Sequence, residues 1–355
     1  MATIKEQTEK TEQLKTSLDN KVNSIGDIIN TKIKEKPTTL TQVEDSLRRK
    51  MWGIGDIVTD LQIEDSGHNT NNNGSFTWHT SSVEALVEDD DYIYSGSSDN
   101  TVKKIRKSDM TQVGNGISCG NTVNSLAIDS EYIYIGSSDT TIRKIRKSDM
   151  YLVSSFRCAV YALVVDSNYI YSGGTVFDST VRKIRKSDMV EVGKFTGYYS
   201  YVKALAVDGE YVYIGGGDKT IRKIRKSDMV EVGRFTGHSE PIEALTVDAN
   251  YLYSGSKDYT VRKIRKSDMT QVNMFTGHTH WVHALAQDDT CIYSGSRDKT
   301  IKKIRKAEMT LINSFTGHTD AIQSLTVDSE YIYSGSIDKT VRKWAKNKLY
   351  KILYI

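Results

Sequence analysis

Three groups of side chains in this chain of 355 residues have types and spacings that could do chemistry. His278, His280 and His283 crowd around Trp281, a composition that could suit a transition metal. Residues 280 and 283 have opposite parity, however, so on an extended strand their imidazoles leave from opposite faces and three ligands do not converge. Aspartates with serine and histidine nearby, such as His238, Ser254 and Asp258, raise nucleophilic hydrolysis. That trio returns as His278, Ser294 and Asp298 and again as His318, Ser334 and Asp338, whereas an active site is a single asymmetric constellation. Runs of the type Arg-Lys-Ile-Arg-Lys suggest an anion-binding surface. Acids recur beside them: 38 basic and 33 acidic residues follow position 65, so a mutually compensated, solvated face is expected and nucleic acid is disfavoured. No glycine-rich loop leads from a strand into a helix. The expectation is a non-enzymatic protein with no catalytic residue, no metal and no cofactor.

No run approaches eighteen apolar residues, and Lys5, Glu6, Glu9 and Lys10 stand where a signal peptide needs an apolar stretch. Neither a membrane span nor Sec-type export is expected. Cys119, Cys158 and Cys291 are scattered without a Cys-x-x-Cys pair, which fits a reducing compartment and no structural zinc.

The elements that position these residues come from an internal repeat. The Asp before each Thr-Val or Thr-Ile step (with Ser179 or Lys219 as examples of the intervening residue) recurs as Asp99, Asp139, Asp178, Asp218, Asp258, Asp298 and Asp338, at intervals of 40, 39, 40, 40, 40 and 40 residues. Within one copy, Ile242 to Val247, Tyr251 to Ser254, Thr260 to Lys266 and a segment ending near Phe275 read as short strands separated by turn residues. A four-stranded unit with two apolar faces cannot bury both alone, but seven in a ring can. The fold expected is all-β, a seven-bladed β-propeller over 76–355. Its last outer strand has two candidates, Gly74 to Trp78 and Leu349 to Ile355, of which the second is favoured because it follows Trp344 through a short turn.

These copies resemble the WD-repeat family: Phe-Thr-Gly-His occurs at Phe235 to His238, Phe275 to His278 and Phe315 to His318, and every copy carries the Asp-x-Thr run. The resemblance implies a His, Ser, Asp and Trp tetrad inside a blade, matched in full by His318, Ser334, Asp338 and Trp344. It is matched in three positions by His238, Ser254 and Asp258 and by His278, Ser294 and Asp298, with Ile264 and Ile304 in place of Trp. Earlier copies are expected to lack the His. One departure repeats in all copies, a lysine two residues after the Val or Ile (Lys104, Lys144, Lys183, Lys223, Lys263, Lys303, Lys343). Its stem should pack between blades, with the ammonium at the rim or on a carboxylate. The paired tyrosines of Tyr-x-Tyr are expected to pack between blades as well.

Copies differ most just before the first strand and beside the recurring Asp: Tyr198, Tyr199, Tyr201, Lys203, Glu240, Pro241, Glu243, His280, Trp281, His283, Phe177, Lys257, Arg297 and Ile337. The resemblance places these on one propeller face around a central channel. Tyr199, Tyr201, Lys203, Lys257, Trp281, His283 and Arg297 are the expected binding residues, with Trp281 the most exposed.

Residues 1–65 form a separate segment, with 66–75 as a flexible, Asn-rich linker. Leu14, Leu18, Val22, Ile25, Ile29 and Ile33 make a narrow helical stripe suited to a partner helix, so Leu18, Val22, Ile25 and Ile29 are expected to anchor the chain or make it a homo-oligomer. The opening Met1 to Lys10 resembles tail and baseplate proteins of bacteriophages and phage-tail-like particles of Gram-positive bacteria. That resemblance implies an attachment protein made in the bacterial cytoplasm and located in a virion or phage-like particle, its propeller facing a tail or baseplate protein or a cell-surface glycan. The alternative is a cytoplasmic scaffold for protein-protein interaction, and a carbohydrate-active propeller enzyme is a minor third reading.

Overall fold

A computed structural model describes residues 72–346. Among these residues the strands form seven antiparallel sheets of four. Blades one to six each use four consecutive strands, and blade five shows the pattern: Ile242–Val247 innermost, then Tyr251–Ser256, Val261–Arg265 and Thr270–Phe275. The innermost strand of each blade packs against that of the next, and the seventh returns to the first, so the ring is a closed seven-bladed propeller.

Alternation explains the packing. In Tyr251–Ser256 the middle residues are buried on both faces, because one face meets each neighbouring blade. Between blades four and five, Tyr213, Ile221, Phe235, Ile242, Leu252, Ile264 and Met269 form one cluster. Met269 is held at φ 56° in the turn before the outer strand while its side chain is only 5% exposed. Burial of the thioether chain thus offsets a left-handed backbone that costs roughly 1–2 kcal/mol for a residue with a Cβ.

The repeated lysine packs between blades as expected, and its ammonium is held by a backbone carbonyl of the next blade. Lys263 Nζ donates to the Lys306 carbonyl of the next blade at 2.8 Å, and the same bond runs around the ring from Lys104 to the Lys147 carbonyl through Lys343 to the Lys107 carbonyl. The ammonium also lies over a tyrosine ring, 4.1 Å from the Tyr251 centroid and 3.9 Å from that of Tyr331. Carboxylates are taken by a second lysine three residues later, which reaches back to the preceding blade: Lys147 to Asp89 at 3.0 Å, Lys266 to Asp208 at 2.7 Å, and Lys107 to Asp328 at 3.1 Å across the junction. The same aspartate accepts the buried phenol of its own blade, as Asp208 does from Tyr213 at 3.0 Å. Two rings of lysine contacts of opposite direction therefore tie each blade to both neighbours.

The closing strand corrects the sequence expectation. Asn72–Phe76 pairs with Val341–Ala345 and completes blade seven, with Phe76 opposite Val341 as Phe275 is opposite Val261. Val341–Ala345 has one edge on Tyr331–Ser336, so a single edge remains, and Phe76 fills the slot that the outer strands of blades two to six fill with Phe156, Phe195, Phe235, Phe275 and Phe315. Asn72 to Ser75 thus belong to a strand and not to the linker. Leu349 to Ile355 lie outside the described residues.

Candidate interaction face

Each blade turns between its second and third strands beside the loop that enters its first strand. Backbone bonds fix this pairing: Lys257 N donates to the Pro241 carbonyl and Arg297 N to the Trp281 carbonyl, at 2.9 and 2.8 Å. Side chains that differ among copies are therefore brought together on one face, around the mouth of a channel of about 190 Å³ lined by the first strands of all blades.

Beneath this face sit the tetrads. His238 Nδ1 donates to Asp258 at 2.7 Å and its Nε2 accepts from Ser254 at 2.7 Å. His278 with Asp298 and Ser294, and His318 with Asp338 and Ser334, repeat the geometry. In blade seven Trp344 Nε1 adds a 2.7 Å bond to Ser334. Burial opposes ionisation of Asp258, but hydrogen bonds from His238 and Thr260 outweigh it and hold its pKa well below the carboxylate range. With both ring nitrogens of His278 engaged, it has no lone pair to share with His280 and His283.

The first copy departs from expectation: His79 bonds Asp99 and Ser95, both at 2.7 Å. Its motif is Phe76-Thr-Trp78-His79, with Trp where three other copies have Gly, and that match to Phe-Thr-x-His was the signal available in the sequence. At the same position blades two, three and four carry Cys119, Cys158 and Tyr198, all buried. There the aspartate is held by arginine from the third strand: Arg143 to Asp139 at 2.5 Å, Arg182 to Asp178 at 2.6 Å and Arg222 to Asp218 at 2.8 Å. Burial raises the Cys119 and Cys158 thiols to about 11, so both are neutral packing groups.

On the face itself the predicted residues form two groups. Trp281 is half-buried, which corrects the expectation that it is the most exposed: Lys257 Nζ and Arg297 Cζ lie over its ring at 4.7 and 4.6 Å, and His280 and His283 meet it edge-on at 5.3 and 5.9 Å. Glu243 lies below, its side chain 6% exposed, with Lys257 Nζ 3.1 Å from Oε1 and His283 Nδ1 3.7 Å from Oε2. The Lys257 approach is an ion pair off the hydrogen-bond line, since Oε1 has no hydrogen-bond donor. Burial works against the Glu243 carboxylate, yet His283, Lys257 and Lys203 keep its pKa below the usual glutamate value. Burial would likewise lower Lys257, and Glu243 with Tyr201 overrides it. Tyr201 stacks edge-on to Tyr161 at 6.1 Å, and Lys203 Nζ stands 5.7 Å from the Tyr161 ring. Tyr161 was missed because blade three has a shortened entry loop and the residue reads as an ordinary strand tyrosine.

Among the described residues the most exposed aromatics are Phe177 at 97% and Tyr199 at 87%. Phe177 rides on a lengthened turn of blade three, where the Gly174 carbonyl accepts from Val202 N at the start of blade four. Leu18, Val22, Ile25 and Ile29 lie outside the described residues.

Residues 71–104, 229–263, 269–303 and 309–345 match the WD40 family, described as WD domain, G-beta repeat. No curated protein matches the sequence. Among solved structures, the WD40 beta propeller domain of Doa1 superposes with a TM-score of 0.70 at 22% identity, covering 78% of this chain and 97% of that one. The computationally designed Ika8 protein gives a TM-score of 0.62 at 22% identity, covering 75% and 97%. Four segments of the chain thus match WD40 repeats, and the described residues fold as a seven-bladed β-propeller.

Proposed function

We propose that this propeller is a non-enzymatic protein-interaction module whose binding face is the channel mouth around Trp281. The observation that carries this reading is asymmetry. The opposite face repeats the same lysine, aspartate and tyrosine contacts blade after blade, whereas blades four to six alone place Tyr201, Lys203, Lys257, Trp281, His283 and Arg297 together. Truncating a buried interface Trp or Arg costs about 2 kcal/mol or more. Trp281→Ala with Arg297→Ala should therefore weaken the natural partner at least tenfold in calorimetric titration while the melting temperature stays within a few degrees. Unchanged affinity would remove the face from binding.

A more specific reading rests on the sequence of Met1 to Ile33: the N-terminal segment anchors the propeller in a phage or phage-tail-like particle, and the face meets a baseplate protein or the host surface. A cytoplasmic scaffold is equally compatible with a WD40 propeller. Val22→Asp with Ile29→Asp should abolish co-sedimentation with particles and reduce the mass seen by light scattering. Retained incorporation and mass would remove the stripe from anchoring.

A further inference from the structure

The cationic side chains of the entry loops and second-to-third-strand turns lie in one arc of the candidate face. Leaving aside the buried tetrad aspartates, blades four to seven present Lys203, Lys219, Lys257, Arg297, Lys299 and Lys339 there, against Glu240, Glu243 and Asp320. Two of these acids are already paired, Glu240 with Lys219 at 3.3 Å and Glu243 with Lys257 at 3.1 Å. Asp320 caps the Ala321 backbone N–H at 2.7 Å. Blades one to three fill the corresponding positions with Glu84 and neutral side chains such as Ser98, Asn124, Ser138 and Phe177.

Arg297, Lys299 and Lys339 are exposed cations of this arc. Arg297 is held over Trp281 without a carboxylate, which leaves its N–H fork free for one from outside. Lys219 shows where the turn lysines reach: its Nζ donates to the Ser239 carbonyl of the next blade's entry loop at 2.7 Å, across the face. The channel mouth is too small for a folded element and large enough for one side chain. Exposed Tyr199 and Phe177 border the arc's blade-four end and offer apolar contact.

We propose that the arc takes an extended acidic peptide segment, with a carboxylate on Arg297 and an apolar residue between Tyr199 and the channel mouth. This deepens the protein-interaction reading and rests on it. The test is selection of a random peptide library on the full-length chain, followed by titration of the enriched peptides in increasing salt. The expected winners are rich in Asp and Glu, lose affinity as salt rises, and bind at least tenfold more weakly to Arg297→Gln, Lys299→Gln, Lys339→Gln, whose exposed sites leave the fold intact by circular dichroism. Basic or uncharged winners that still depend on Trp281 would overturn the acidic class while the face stood. Winners indifferent to both Trp281→Ala and the triple variant would overturn the proposal and the face together.

Discussion

A histidine held between an aspartate and a serine makes the propeller sensitive to acid. Burial lowers the pKa of His79, His238 and His318 below the free value, against the opposing pull of Asp99, Asp258 and Asp338. The unfolded chain takes up protons below about pH 6.5 that the native histidines refuse, so stability is full above that pH and declines as pH falls toward the native values. The depressed aspartates push in the same direction at lower pH. His238→Gln should cost about 1–3 kcal/mol near neutrality by leaving buried partners unsatisfied, and should flatten the loss of melting temperature between about pH 7.5 and about pH 5.5. An unchanged slope in thermal denaturation would contradict this. At this scale the sequence was partly legible: the trios at 238, 278 and 318 stand at fixed spacing, while the Arg143, Arg182 and Arg222 substitutes for histidine depend on side-chain reach that spacing does not encode.

Strands were the most legible elements, because period-two alternation and turn residues recur in every copy. Blade five was expected at Ile242 to Val247 and is found there, with its other strands shifted by a residue or two. The closing strand was misassigned for a physical reason: Asn72–Phe76 contains two Asn and a Gly, which read as linker, and tertiary pairing overrode that propensity. Its hold comes from the register with Val341–Ala345 and from Phe76, which is 2% exposed. Removing residues 1–76 should lower the propeller's melting temperature sharply, by well over the few degrees expected for loss of Leu349 to Ile355. The opposite ranking in differential scanning calorimetry would return the edge to the C-terminal segment.

At the scale of the whole propeller the two faces differ in what they repeat. One face repeats the lysine, aspartate and tyrosine contacts that bind blade to blade; the other varies and gathers aromatic and cationic side chains. The fold was legible because seven copies at nearly constant spacing leave few alternatives to a ring. The site was legible only as a set of differences: the sequence brought Trp281, Lys257 and Arg297 under suspicion, but the indole between two cations and the buried Glu243 beneath them are products of loops meeting in space. The most direct test places a benzophenone side chain at Tyr199 on the variable face or at Val230 on an outer strand, with photo-crosslinking in the producing cells. Tyr199 should yield a discrete protein adduct that Trp281→Ala with Arg297→Ala abolishes, and Val230 should yield none. Adducts at Val230 alone, or Tyr199 adducts indifferent to the double variant, would contradict a binding face at the channel mouth.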